Sequence, residues 1–425
     1  MEVLLFLLGI VGGIFAGLVP GIGVFTTLIL LYPLLIDLTI TQLLILYIPL
    51  MSVSQYIGSV PALYFKIPGE ATSFIATEYG HDLFWKGNYD LIPLTAIGSF
   101  VATVMSAGVI MLLPYLYEHI FYGFLSTNFV FGMILLTGAC LVATCKNPWL
   151  LTVTMIATGM ALGNVGFNVN TGTNFATFGS TWLSYGIPIF PFIIAVYVIP
   201  SIFALNSSTV TVKQIDSAYS SAALDVKHYL PKMMSGSMVG MIAGFVPIIG
   251  KIVGVSASRA LYKHNDKHSV IVAESSNNSS IFTAMIPLFL FGVPITLGEI
   301  LIFNVAETSY WDLDTAFREV LSTPTLPVTI LASGIFGLVL SWPLARYFSH
   351  VFVLPTSALK ICLLAIVLGS MIYLGITKHM LGFYIIVLLA FIPLGYFLRH
   401  RDVIPLIFAF IFAKMSMTVI ERIII

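Results

Sequence analysis

Apolar runs of membrane length alternate along the chain with short polar interruptions. No Asp, Glu, Lys or Arg occurs between Lys146 and Lys213, and Val3–Ile36, Leu38–Phe65 and Leu91–Tyr117 are equally free of charge. Each run can contain a transmembrane helix of about 20 residues. The pattern predicts crossings near Gln42–Phe65, Ile92–Leu116, Thr127–Cys145, Pro148–Val165 and Ile187–Leu205, then near Ile271–Val293, Thr325–Pro343, His350–Gly369, Met380–Leu398 and Val403–Ile420. Ahead of each set of five lies a segment interrupted by proline and glycine, Val3–Leu35 and Lys232–Ser258, which reads as a re-entrant hairpin or as two short spans. An all-α polytopic membrane protein is expected.

The chain is written twice. Gly9, Gly13, Gly17, Pro20 and Gly23 recur 227 positions later as Gly236, Gly240, Gly244, Pro247 and Gly250. Pro61 and Pro68 return 226 positions later as Pro287 and Pro294, one residue of slippage that fits a diverged duplication. Residues 1–205 form the first repeat, 206–231 a connector and 232–425 the second repeat. Five crossings plus a hairpin or a pair of spans make an odd number per half, so the two halves are expected in inverted topology. The loop Asn168–Gly186 has no counterpart and reads as an insertion.

Composition narrows the function classes. Of 425 residues 59% are hydrophobic and only 8% charged, far below the roughly 25% charge of a soluble domain. The 18 basic and 18 acidic residues cancel, which leaves no basic field for nucleic acid. Cys140, Cys145 and Cys362 sit in apolar context without a Cys-x-x-Cys pair and read as buried small hydrophobes. The N-terminus lacks the basic start and cleavage site of a secretory signal and is expected to remain. With Arg259, Lys263 and Lys267 cytoplasmic, Lys146, the connector, Arg346, Arg399 and Arg401 fall on the same side, while Asp37, Glu118, Glu307, Asp312, Asp314 and Glu319 fall opposite. A multi-pass protein of the cytoplasmic membrane with both termini extracytoplasmic is expected.

Candidate chemistry gathers at the breaks. Pro20-Gly21-Ile22-Gly23 removes a backbone donor at a depth where lipid offers no replacement, so the freed groups must face protein, water or a ligand. Lys66-Ile67-Pro68-Gly69-Glu70-Ala71-Thr72-Ser73 is a second break followed by small hydroxyl residues, and the N-terminus of a half-helix there would attract an anion. Pro247, Gly250 and Lys251, and further on Pro294, mark the corresponding breaks of the second repeat. Glu274-Ser275-Ser276-Asn277-Asn278-Ser279-Ser280 is a polar run in an apolar segment; its oxygens could coordinate Na⁺ and its amide N–H₂ groups a carboxylate. Lys66, Glu70, Lys251 and Glu274 are the ionisable groups nearest the breaks, where charge implies pairing or function. The glycine ladders have the small-xxx-small spacing of close helix packing, and Lys360 and Lys414 read as structural or snorkelling. No resident cofactor is expected, only a coupling Na⁺ or H⁺.

A membrane enzyme would need a compact kit such as His-Glu-x-x-His or Gly-x-Ser-x-Gly, and neither string occurs. A passive channel suits a symmetric pore with a continuous polar lining better than a broken inverted duplication. A secondary transporter therefore leads, whether stand-alone or part of a larger system.

The same residues carry a family resemblance. Gly13-x3-Gly17-x2-Pro20-Gly21-x-Gly23, Ile67-Pro68-Gly69 with Ser73, Thr77 and Gly80, Gly172 with Thr177-Phe178-Gly179, Glu274-Ser275-x-Asn277-Asn278, and Gly292-x-Pro294 resemble the large membrane subunit of the tripartite tricarboxylate transporters, the TctA-type permeases. The resemblance implies cation-coupled uptake of small tri- or dicarboxylates, with a small four-span membrane subunit and an extracytoplasmic solute-binding protein as partners. Similarity to the wider ion-transporter superfamily further implies an elevator-like architecture. One departure is local: the second repeat has Pro247-Ile248 and Pro294-Ile295 where the family pattern has Pro-Gly.

Overall fold

The computed structural model describes the chain except for residues 20, 21, 68, 70, 122–126, 169–170, 206–223, 263–265, 308–318, 342–344, 346–355 and 425. Pro20, Gly21, Pro68, Glu70, most of the connector, Asp312, Asp314 and Arg346 thus lie outside the described residues. In chain order the helices are α1 (Glu2–Leu18), α2 (Gly23–Leu35), α3 (Ile40–Phe65), α4 (His81–Trp85), α5 (Leu91–Leu116), α6 (Thr127–Thr144), α7 (Trp149–Gly163), α8 (Thr181–Ser184), α9 (Ile189–Ile193), α10 (Ile199–Ala204), α11 (Val226–Ala243), α12 (Gly250–Ala260), α13 (Lys267–Phe291), α14 (Leu297–Glu307), α15 (Thr325–Ser341), α16 (Thr356–Thr377), α17 (Leu381–Phe397) and α18 (Ile404–Ile424). A π-helical turn, Ile194–Val198, joins α9 to α10. A short antiparallel hairpin, β1 (Gly166–Asn168) and β2 (Thr173–Phe175), leads into the insertion, a local exception among otherwise helical described residues.

Most expected crossings coincide with a helix to within a few residues. The expected span His350–Gly369 begins outside the described residues, and its helix, described from Thr356, continues past Gly369 to Thr377. Gly369 does not end it, because its open side meets nothing and a glycine on an outward helix face costs only about 1 kcal/mol. The same helix carries Cys362, which is exposed rather than buried as expected, while Cys140 is buried and Cys145 half-buried. An outward face in lipid accepts a small apolar side chain as readily as a core does. Ile40–Phe65, Leu91–Ile120 and Ser357–Thr377 are long and apolar enough to cross a membrane by themselves. Two of the arms that follow the breaks are half-length: α2 has 13 residues and α12 has 11. At 1.5 Å per residue they reach roughly 17–20 Å, short of a hydrocarbon layer of about 30 Å.

Two helices occupy the centre, α3 and α13, each enclosed by protein along nearly its whole length. Their ends are set by local chemistry. Thr39 and Gln42 form a reciprocal capping box at the start of α3, with bonds of 3.1 and 3.3 Å, and Asp266 caps α13 through the Ser269 amide at 3.2 Å. Both C-termini turn into the left-handed region, at Lys66 (φ 59°) and Gly292 (φ 64°), residues 226 apart. The bonds that close these turns also correspond, Ile67 N–H to Pro61 O at 3.3 Å and Val293 N–H to Pro287 O at 3.2 Å.

The glycine ladders serve close packing. Gly9, Gly13 and Gly17 of α1 sit against the backbone carbonyls of Leu46, Leu50 and Ser54 in α3, where a Cβ would collide. Gly236, Gly240 and Gly244 of α11 sit in the same way against Val272, Ser276 and Ser280 of α13, each again 226 positions on. Both pairs run parallel, since contacts advance together along the two chains. Between the repeats the order reverses: Ser59 meets Glu274 and Gln55 meets Asn277, so α3 and α13 are antiparallel.

Polar contacts tie particular helix ends together. Lys267 Nζ reaches both oxygens of Asp90 at 2.8 and 2.9 Å, joining the starts of α13 and α5. The Asn147 side chain donates to Asp402 O at 2.7 Å and accepts from Asp402 N–H at 3.2 Å, joining the starts of α7 and α18.

Candidate functional site

The apolar core is divided by a polar belt. One cluster takes the first half of α3, through Met51, and the second half of α13 from Ile281; the other takes α3 from Val53 and the start of α13 through Ala273. Between them every side chain from Glu274 to Ser280 is buried. The run occupies the middle turns of α13, so its neighbours are helices rather than solvent or helix ends.

The hydrogen bonds of the belt reach three other helices. Ser59 Oγ of α3 donates to Glu274 Oε2. Asn277 Nδ2 donates to Gln55 Oε1 of α3 at 2.8 Å, and Asn278 Nδ2 to Ser99 Oγ of α5 at 2.8 Å. Ser280 Oγ donates to Gly240 O of α11 at 3.0 Å, and Gly254 of α12 packs against the hydroxyls of Ser276 and Ser280. Consecutive helical residues are about 100° apart, which is why Asn277 faces α3 while Asn278 faces α5.

What these bonds leave over is informative. The amide N–H₂ groups that sequence reasoning offered to a carboxylate are already used within the protein. Asn277 Oδ1, Asn278 Oδ1 and Ser276 Oγ have no hydrogen-bond partner among the described residues. An orphaned buried acceptor costs about 1–3 kcal/mol, which marks these two amide oxygens and the hydroxyl as groups still able to accept a bond.

The breaks adjoin the belt. Gly69 nests on Gly58 and Gly17, and Ala71–Ser73 packs against α3, α12 and α13. Thr72 and Ser73 are buried, and Thr72 Oγ1 has no partner among the described residues. Gly23, expected as part of the first break, has φ 57° and begins α2. In the second repeat Pro247 is followed by Ile248 at φ 66°, a non-glycine residue in the left-handed region, and the Ile248 N–H donates to Ile295 O at 3.1 Å. Gly250 opens α12 and lies against Ala243 and Gly244, while Pro294 is buried between α13 and α14.

Two lysines separate. Lys66 turns to Asp82 at 3.5 Å with half of its side chain exposed, so its ammonium is not brought into the belt. Lys251 stands at the start of α12, close enough for its charge to act on Glu299. Lys360 donates to Phe203 O at 3.1 Å, the structural role expected of it. Lys414 lines a cavity of about 220 Å³ with Tyr32, Gly186, Asn304 and Tyr384, more than a snorkelling side chain would require.

Sequence reasoning missed four partners. Gln55, Ser59 and Ser99 carry the opposite side of the belt; Ser52, Gln55 and Ser59 share one face of an apolar helix at spacings of three and four, a signal that could have found them. Glu299 is the fourth. Its Oε2 accepts from the Ile295 N–H at 2.9 Å and the Thr296 N–H at 3.1 Å, while the Glu299 N–H donates to Thr296 Oγ1 at 3.4 Å. Thr296-x-x-Glu299 is the capping-box signature. The half-helix end beside Pro294 is thus closed by the chain's own carboxylate.

An uncharacterized 52.8 kDa protein in the TAR-I ttuC' 3' region of Agrobacterium vitis is 26% identical over 301 residues, which are 67% of this chain. The matched stretch spans 60% of that relative's length. No solved structure matches. The family model of the tripartite tricarboxylate transporter TctA proteins matches residues 3–408, and the chain therefore belongs to the TctA family.

Proposed function

We propose that the chain is the large permease subunit of a secondary uptake system for small carboxylates, coupled to Na⁺ or H⁺ and embedded in the cytoplasmic membrane. It works with a small four-span membrane subunit and an extracytoplasmic solute-binding protein, which delivers the carboxylate. The observation that carries the reading is the buried polar belt Glu274–Ser280, set where α3 and α13 cross antiparallel with a proline break after each. Midplane polar groups between two broken units are the arrangement that alternating access uses. Repetition of the αL turn at a shift of 226 and of the ladder glycines at 227, with α3 and α13 opposed, supports inverted repeats. In an elevator-like cycle α3 and α13 would move with their breaks as one body.

Within this site the region Gly69–Ser73 receives the carboxylate through backbone N–H groups and the Thr72 hydroxyl, and the orphaned oxygens of Asn277 and Asn278 face the cation. Glu274 balances charge across the belt. Counterflow into proteoliposomes, screened over mono-, di- and tricarboxylates with Na⁺ or K⁺ in the buffer, tests the reading. Asn277→Ala with Asn278→Ala should abolish exchange at unchanged membrane abundance. Full exchange in that double variant would remove the belt from the site, and no exchange of any carboxylate by the wild type would remove the substrate class.

A further inference from the structure

Glu299 has three properties that the transport reading does not use. It is 1% exposed, its Oε2 closes the first turn of α14 through two backbone N–H bonds, and its Oε1 has no partner among the described residues. A lone buried carboxylate oxygen can accept a proton without breaking a bond already made. The position 226 residues earlier, across the duplication, is Ser73. An acid thus stands in the second break where the first has a hydroxyl, and beside it the buried Thr72 hydroxyl has no partner among the described residues.

We propose that Glu299 is the carboxyl through which proton movement is tied to carboxylate movement. Ionised, it occupies the start of α14 as an internal anion; protonated on Oε1, it yields the Ile295 and Thr296 N–H groups to the carboxylate being carried. The inference rests on the transport reading and adds the coupling ion and its address. Hydrogen bonds to an ionised acceptor are roughly twice as strong as bonds to a neutral one, so a charged ligand displaces the neutral acid and not the charged one. The proton comes from the outer solution with the anion and leaves to the inner solution with it. One negative charge then stands at this helix end whether the site is loaded or empty, and the cost of holding charge inside the membrane does not change between the two states.

The groups facing Glu299 fit this exchange. Lys251 approaches from α12, whose preceding break is joined to the same turn by the Ile248 to Ile295 bond. Tyr47 of α3 packs against Gly298 with its hydroxyl. Of the other helices packed on α14, α2 contributes Tyr32 and α18 contributes Lys414, both at the cavity beside Asn304, more than a turn further along α14. Glu274 is placed differently, in the belt with Ser59 and not at a helix end.

The test compares wild type and Glu299→Gln, full chains reconstituted in proteoliposomes, with succinate and citrate as probes: net proton entry is read by a trapped pH dye as substrate runs down its gradient into substrate-free vesicles, and affinity by counterflow between pH 6 and pH 8. The wild type should admit protons when substrate enters, and its affinity for the anion should fall by up to about tenfold per pH unit once the carboxyl is ionised. The amide introduced by Glu299→Gln cannot carry the proton, so counterflow by this variant should be independent of pH and its substrate-dependent proton entry absent. Unchanged proton entry in Glu299→Gln, or net substrate entry by the wild type without proton entry, overturns this inference alone. Absence of all carboxylate counterflow in the wild type overturns the transport reading and this inference with it. If Glu299→Gln does not reach the membrane, infrared difference spectra of the wild type decide: substrate should produce a band from a protonated buried carboxyl, and no such band overturns the proposal.

Discussion

Asn277 Nδ2 and Gln55 Oε1 lie 2.8 Å apart, both side chains buried, across the antiparallel crossing of α13 and α3. Residues 222 positions apart thus share one hydrogen bond between the two central helices. Gln55→Leu leaves the Asn277 amide without its acceptor and should destabilise the protein by about 1–3 kcal/mol. Removing both amides, with Gln55→Leu and Asn277→Leu, should cost less than the two single changes added together. Thermal unfolding in detergent measures both quantities; strict additivity would mean that the bond does not join the two helices.

Glycine substitutions on two helices should have opposite signs. Gly240 lies against the backbone of Ser276, so Gly240→Ala forces α11 away from α13 and should cost about 1–3 kcal/mol or more. Gly108, on an open face of α5, has nothing within contact distance, and Gly108→Ala should stabilise its helix by roughly 0.5–1 kcal/mol. Melting temperatures of the two variants check the pair, and similar shifts would contradict the ladder.

The N-cap of α13 should respond to pH. Burial works against ionisation of Asp266, but hydrogen bonds from His268 at 2.6 Å and from the Ser269 amide outweigh it and hold the carboxyl below its ordinary value. A carboxyl depressed in the folded state stabilises it above the unfolded carboxylate range and loses that contribution as pH falls through the folded value. Asp266→Ala should therefore cost about 1 kcal/mol at neutral pH, the usual worth of a cap, and progressively less below about pH 4. A difference in unfolding temperature that stayed constant into acid would contradict the assignment.

Much of this architecture was legible because glycine and proline are kept where backbone meets backbone. The ladder of Gly9, Gly13 and Gly17 survives as Gly236, Gly240 and Gly244 since each faces a carbonyl at the same register. Polar partners were harder to find. Asn277 and Asn278 stand out in their own run, whereas Gln55 and Ser99 acquire meaning only from helices that pair them over long sequence separations. Glu299 was overlooked for a different reason. A capping acid in an apolar stretch resembles ordinary helix chemistry until its second oxygen is seen to be buried alone. Gly369 misled in the opposite direction, because glycine on an exposed helix face punctuates nothing.

Sidedness is the last expectation open to direct measurement. Lys146 and Arg401 belong to the loops joined by the Asn147 to Asp402 bonds, so whatever side holds one holds the other. Lys378, exposed in the turn between α16 and α17, is one crossing of α17 away from Arg399 and Arg401. The excess of basic residues near Lys146 and Arg401 is the ground for expecting that side in the cytoplasm. With Cys140, Cys145 and Cys362 replaced by Ala, Lys378→Cys should react in intact cells with a membrane-impermeant maleimide. Lys146→Cys should react only after the membrane is opened. Equal labelling of both in intact cells, or the reverse order, would place the basic loops outside and with them invert the direction of uptake drawn for the permease.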